Sequence, residues 1–228
     1  MIFSKQKKFL YIRVPKAASS VIVRVLSNPY DVESFQNRCN NVLELSSDVL
    51  LKNHQDIFNH CGKSIDPNHI PLSIIDKYVH FFFGEDISID DYFKFSFVSN
   101  PYKRIVSRFF WGKDSLRIDK QPEIIQQCKT FKDYVMNISE DTWEAFTQPQ
   151  SRLVEGCDFI GKCENLKNDL EYVCDKINIS KINLPKLGPR MANASAHKDY
   201  TEYYDTETRD IISKLYQEDL KKFGYDFV

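Results

Sequence analysis

Glycine is scarce in this chain, 7 in 228 residues, and none lies between Tyr11 and Ser20, where a strand-like run meets a helix-like one. That absence excludes the usual nucleoside triphosphate loop, G-x-x-x-x-G-K-[ST], in which glycines fold the backbone round the phosphates ahead of the lysine, and it argues against a nucleotide kinase. The six cysteines, at 39, 61, 128, 157, 163 and 174, include no C-x-x-C pair, so free buried thiols are expected rather than zinc or disulfides. Neither sign of charge is in excess: the formal net charge is -1 and the pI near 6.5. Nucleic acid and anionic membrane are therefore not signalled as partners, and any anion site must be local. No apolar run approaches the roughly 20 residues of a membrane span. Residues 1–8 are too short and mixed for a signal peptide, and the expectation is a cytoplasmic protein forming a single domain over 1–228.

What is present is aromatic and alternating. Aromatic residues make up 14% of the chain, and the runs Phe81-Phe82-Phe83, Phe93 to Phe97 and Phe109-Phe110-Trp111 read as core and pocket wall. Residues 8–14 read as a buried strand, followed by a helix over about 18–26. Phe93-Lys94-Phe95-Ser96-Phe97-Val98 alternates as a second strand, and Asn100-Pro101 supplies a cap and an N1 proline that open a helix through about Trp111. Further expected elements are a short helix near 42–51, a helix from Pro71, helices over 131–137 and 141–145, a strand over 158–161, a helix over 165–176, and one continuous terminal helix over 206–223 ending at Gly224. Strands alternating with helices predict an α/β fold with a parallel sheet and ligands at the strand C-terminal ends.

The decamer Tyr11-Ile12-Arg13-Val14-Pro15-Lys16-Ala17-Ala18-Ser19-Ser20 has the make-up of an anion cradle. A strand feeding a helix N-terminus aims orphan N–H groups and the positive end of the helix dipole at one spot. Lys16 adds a mobile charge, Ala17 and Ala18 admit a ligand to the backbone, and Ser19 and Ser20 can cap the helix or bond anion oxygens. An ordinary turn with a solvated lysine is the competing reading of the decamer by itself.

The second strand-to-helix turn, Phe97-Val98-Ser99-Asn100-Pro101-Tyr102-Lys103-Arg104-Ile105-Val106-Ser107, resembles the 3'-phosphate motif of the carbohydrate sulfotransferases related to the HNK-1 and chondroitin 4-O enzymes, Phe-Val-Arg-(Asp/Asn)-Pro-aromatic-x-Arg-Leu-Val-Ser. The decamer is similar to the phosphosulfate loop of sulfotransferases, in which Pro-Lys precedes small and hydroxyl residues. Asp158-Phe159-Ile160-Gly161-Lys162-Cys163-Glu164-Asn165-Leu166 is similar to the family's Asp-Phe-Ile-Gly-(Arg/Lys)-x-Glu-Asn-Leu, and Tyr203-Tyr204-Asp205 leads into a terminal helix closing with Phe223-Gly224-Tyr225. These blocks stand in the family's order.

The resemblance implies a P-loop-NTPase-like three-layer α/β/α fold with a central parallel sheet. It also implies in-line transfer of a sulfuryl group from 3'-phosphoadenosine 5'-phosphosulfate (PAPS) to a carbohydrate hydroxyl, without a metal. On this reading Arg13, Pro15, Lys16, Ala17, Ala18, Ser19 and Ser20 form the loop that holds the 5'-phosphosulfate, and Lys16 stabilises the bridging oxygen as it leaves. Ser107 would contact the 3'-phosphate. Where the motif has arginine this chain has Ser99, and a hydroxyl does not replace a bidentate charged fork, so either weaker PAPS binding or a substitute cation is expected. Arg104, three residues before Ser107, shares a helix face with it and either reaches the same anion or serves as an ion-pair residue. Lys198 lies in a basic segment that the family lays over the nucleotide, where it either assists the phosphates or belongs to a solvated basic loop. His69 matches the family's histidine ahead of a helix and is the candidate base. His80 reads as a core residue, and His54 with His60-Cys61 as a chance cluster. A second reading keeps the fold and drops the turnover, leaving a catalytically weak protein that binds nucleotide or glycan.

Overall fold

The computed structural model describes residues 1–26, 33–34, 69–77, 79, 88–113, 123–140, 146–179 and 197–228. The expected helices over 42–51 and 141–145, together with His54, His60, Cys61 and His80, lie outside the described residues. Among the described residues five strands form one sheet: β1 (Ile2–Ser4), β2 (Phe9–Ile12), β3 (Glu33–Ser34), β4 (Phe93–Val98) and β5 (Phe159–Lys162), in the spatial order β3-β1-β2-β4-β5. The helices are α1 (Ser19–Leu26), α2 (Leu72–Lys77), α3 (Pro101–Gly112), α4 (Glu123–Gln127), α5 (Phe131–Asn137), α6 (Gln150–Leu153), α7 (Leu166–Lys176), α8 (Thr206–Leu215) and α9 (Gln217–Phe223), with 3-10 turns at Cys163–Asn165 and Tyr200–Tyr203.

The strands β2, β4 and β5 are parallel, with Ile12 opposite Ser96 and Val98 opposite Lys162. Their C-terminal ends therefore stand side by side, which brings the loops that follow them to one edge of the sheet. The sheet as a whole is mixed rather than parallel, because β1 runs antiparallel to both β2 and β3. Residues 1–7 fall outside the elements expected from the sequence. They make a strand because the chain folds back as a hairpin that pairs Ile2 with Tyr11 and Ser4 with Phe9.

Alternation along β2 sends Phe9 and Tyr11 to one face and Leu10 and Ile12 to the other. With Phe95 and Phe97, the first pair packs against α1 through Ile22, Val25 and Leu26 and against α7 through Leu170, Val173 and Cys174. The second pair meets Leu72, Ile74 and Ile75 of α2. Helices thus cover both faces, and the architecture is the three-layer α/β/α arrangement. Gly161 lets β5 close onto its neighbour, since a Cβ there would lie 2.5 Å from a ring carbon of Phe97. Among the described residues Cys128, Cys157, Cys163 and Cys174 are free. Burial raises all four thiols above their ordinary range, Cys157 to about 12, which makes them poor nucleophiles.

The terminal helix is broken, not continuous. Its apolar stripe runs on through Tyr216, but the Tyr216 hydroxyl donates to the Thr147 carbonyl at 2.5 Å, and the chain leaves α8 and enters α9 at that residue. The end of α9 is sharper: Gly224 takes the left-handed conformation (φ 63) and Tyr225 N–H returns to the Leu220 carbonyl at 3.0 Å. This cap turns Tyr225 back toward the end of β4, where its hydroxyl lies 3.3 Å from the Val98 carbonyl.

Candidate functional site

The loop between β2 and α1 is the first turn at the sheet edge. Lys16 and Ala18 both have positive φ, 62 and 54, a conformation that costs a non-glycine residue on the order of 1 kcal/mol. Val21 and Ile22 donate to the Ala18 carbonyl at 2.9 and 3.2 Å, so α1 starts its ladder there and the N–H groups of Ala18 and Ser19 precede it. Ala17 is fully buried and Ser19 nearly so. Backbone donors at the start of a helix, with a lysine and two hydroxyls in the same loop, suit a tetrahedral anion.

An aromatic stack stands beside this loop. Trp111, at the end of α3, lies on Phe146 with ring centroids 5.2 Å apart and planes 19° from parallel. The Lys16 ammonium sits 5.2 Å from the Trp111 ring centroid. The guanidinium of buried Arg108 lies 4.6 Å from the Phe146 centroid and 5.5 Å from that of Trp111. His69 makes an edge contact with Phe146 at 5.4 Å. Its Nδ1 is 2.8 Å from the Arg13 carbonyl at the mouth of the loop. A carbonyl only accepts, so Nδ1 carries the proton, and in the neutral ring Nε2 is the basic nitrogen.

The second turn, between β4 and α3, is held from three directions. Asn100 caps α3, its side chain accepting from Tyr102 N–H at 3.0 Å, with Pro101 at the first helical position as the sequence predicts. Gln150 clamps Ser99, accepting from its N–H at 2.9 Å and donating to its carbonyl at 2.8 Å. Glu164, just beyond β5, accepts from Asn100 N–H at 3.1 Å, and its Oε1 lies 3.4 Å from the Ser99 hydroxyl. The other Glu164 oxygen accepts from the Tyr225 hydroxyl at 2.8 Å. Burial and this carboxylate push the phenol well above its ordinary range, so Tyr225 stays a donor.

Gln150 is in turn fixed by buried Asp219, which accepts from Gln150 N–H and Ser151 N–H at 2.8 Å each and from the Gln150 side-chain amide at 3.3 Å. From the opposite side Arg104 donates to the carbonyls of Thr147 and Gln148 at 3.3 and 2.6 Å, while its guanidinium lies over Tyr216. Two buried charges of opposite sign therefore grip one turn, the cation on its carbonyls and the anion on its N–H groups.

This corrects the expectation for Arg104. Its helix face does carry Ser107, but Arg104 is fully buried and points at the 147–148 backbone, not at an anion on the sheet edge. The exposed Lys198 ammonium pairs with Glu202 at 3.0 Å, which raises its pKa. The structure does bring Arg13, Pro15, Lys16, Ala17, Ala18, Ser19 and Ser20 together in one loop, with His69 tied to it, and sets Ser99 at the neighbouring turn and half-buried Ser107 further along α3. Sequence reasoning missed Trp111 as a partner of Lys16, and Phe146, Arg108, Gln150 and Asp219 altogether. Glu164 and Tyr225 lay within quoted motifs without an assigned role. A groove of about 750 Å³ lined by Glu123, Cys128, Lys132 and Met136 shares no residue with either turn.

The whole of this arrangement falls within a family match. Residues 1–226 fit the model of the sulfotransferase family, and the chain belongs to it. Comparison with curated proteins gives no match. Among the described residues no helix is long and apolar enough to cross a membrane.

The first turn fits a 5'-phosphosulfate on its donors, charge and small side chains. The second fits a 3'-phosphate less well, because Glu164 places a carboxylate at the N-terminus of α3, where a phosphate would otherwise meet only donors. Glu164→Gln is expected to tighten binding of adenosine 3',5'-bisphosphate on the order of tenfold and to leave AMP within about twofold, as measured by titration calorimetry. Equal gains for the two nucleotides would show that Glu164 does not oppose the 3'-phosphate.

Proposed function

We propose that this chain transfers a sulfuryl group from PAPS to a hydroxyl of a carbohydrate acceptor. The observation that carries the reading is the attachment of Lys16 and His69 to one aromatic stack beside an anion cradle. The carbohydrate acceptor rests on the likeness of the blocks at 97–107 and 158–166 to carbohydrate sulfotransferases. The donor supplies the sulfuryl group: its sulfur–oxygen bond to the phosphate breaks, a bond from the acceptor oxygen to sulfur forms, and adenosine 3',5'-bisphosphate is the product.

The residues then have distinct tasks. The N–H groups ahead of α1, with Ser19 and Ser20, hold the 5'-phosphate end and align it. Lys16 stabilises charge on the bridging oxygen, a contact that strengthens as the bond breaks and therefore favours the transition state over the ground state. His69 accepts the acceptor's proton at Nε2, while the Arg13 carbonyl holds the ring in the required tautomer. Four free thiols among the described residues suit a reducing, cytoplasmic setting.

His69→Ala is expected to cost roughly 10²- to 10⁴-fold in turnover, with adenosine 3',5'-bisphosphate affinity within about threefold of wild type. A matching loss of affinity would assign His69 to the architecture of the loop instead. The function itself is tested by incubating the protein with radiolabelled PAPS and a panel of oligosaccharides, with label transfer read by chromatography. Transfer to a sugar supports the proposal, and failure to bind PAPS refutes it. Binding without transfer favours the second reading, a weak or inactive nucleotide-binding relative, for which the carboxylate of Glu164 at the second turn is the specific observation.

A further inference from the structure

We propose that Trp111 is a positioning residue for Lys16, and that the Trp111–Phe146 pair is the element that sets the candidate leaving-group cation and the candidate base in a common frame. The inference rests on the sulfuryl-transfer reading and assigns a role that neither the family match nor the motif blocks contain. Lysine has four rotatable side-chain bonds, and holding its head in one place costs rotamer entropy. A neighbouring aromatic face offsets part of that cost through a cation–π contact. The Trp111 face supplies such a seat at 5.2 Å.

The seat is itself rigid. Trp111 is backed by Phe146, and buried Arg108 lies against both rings. Gly112 admits this packing, since a Cβ there would be 3.1 Å from an Arg108 guanidinium nitrogen and 2.8 Å from Ile125. The same Phe146 touches His69, which is hydrogen-bonded to Arg13, three residues before Lys16. Lys16 and His69 therefore reach the stack by separate contacts and are joined again through the loop backbone, closing a ring of interactions.

A positioning role predicts a particular split. Trp111→Phe retains an aromatic face and is expected to keep turnover within about fivefold of wild type. Trp111→Leu retains apolar bulk without the π-face and is expected to lose about 30-fold in kcat, while adenosine 3',5'-bisphosphate affinity changes less than threefold in both variants. In a Lys16→Ala background Trp111→Leu should have little further effect, because the group it positions is gone. Nucleotide binding and thermal unfolding confirm that each variant is folded. Equal turnover by Trp111→Leu and wild type would overturn the role, as would equal losses in Trp111→Phe and Trp111→Leu or a full additive loss in the double variant. Absence of turnover in the wild type would instead overturn the sulfuryl-transfer reading on which the role depends.

Discussion

Lys16→Ala is expected to lower turnover roughly 10²- to 10³-fold, the range found when one preorganised donor is removed from a developing oxyanion. Its effect on adenosine 3',5'-bisphosphate affinity should be far smaller, about tenfold or less, because the backbone donors ahead of α1 remain and the bisphosphate has no bond to break. The asymmetry follows from where Lys16 stands. Its backbone is held at φ 62 in the loop and its ammonium lies over Trp111. Alanine keeps the loop's shape and deletes only the charge. Single-turnover rates and calorimetry separate the two effects: a loss of affinity as large as the loss of rate would make Lys16 a simple binding residue. An unchanged rate would remove it from the chemistry.

The largest effect on stability is expected at Asp219. Replacing it with alanine strips the acceptor from Gln150 N–H, Ser151 N–H and the Gln150 amide, all in the interior. Each buried donor left without a partner costs about 1–3 kcal/mol; the Gln150 amide keeps the Ser99 carbonyl, so the two orphaned backbone N–H groups together cost about 4 kcal/mol. At about 2–4 °C per kcal/mol for a chain of this size, the midpoint of thermal unfolding should fall on the order of 10 °C. Asp219→Asn, which keeps one acceptor oxygen, should lose about half as much. The consequence reaches the site, because Gln150 holds Ser99 on both its N–H and its carbonyl, so nucleotide affinity should weaken along with stability. A shift below about 3 °C in Asp219→Ala would show that the turn at 147–151 is held by other contacts.

Much of the frame was legible because it follows local rules. The apolar run at Phe9–Ile12 and the alternation of Phe93–Val98 became neighbouring parallel strands, and Asn100-Pro101 capped α3 as read. The family blocks placed both turns in order. What was not legible depends on contacts between distant residues. Ile2–Ser4 is a strand only because it pairs with β2. The break at Tyr216 comes from a bond to Thr147, 69 residues away, and nothing in the periodicity of 206–223 marks it. Arg104 shows the limit most plainly. Helical spacing put it on the face of Ser107, but spacing does not tell whether a guanidinium meets phosphate or backbone carbonyls. Trp111 was read as pocket wall, and its pairing with Phe146, 35 positions on, gave it a cation to hold.

The decisive measurement is a crystal structure with adenosine 3',5'-bisphosphate bound. The predicted result is a 5'-phosphate lying against the loop between β2 and α1, within hydrogen-bond distance of backbone N–H groups of residues 17–20 and of the Lys16 ammonium, with His69 Nε2 facing the space beyond it. A nucleotide seated away from this loop, or one whose 5'-phosphate points away from Lys16, would contradict the account.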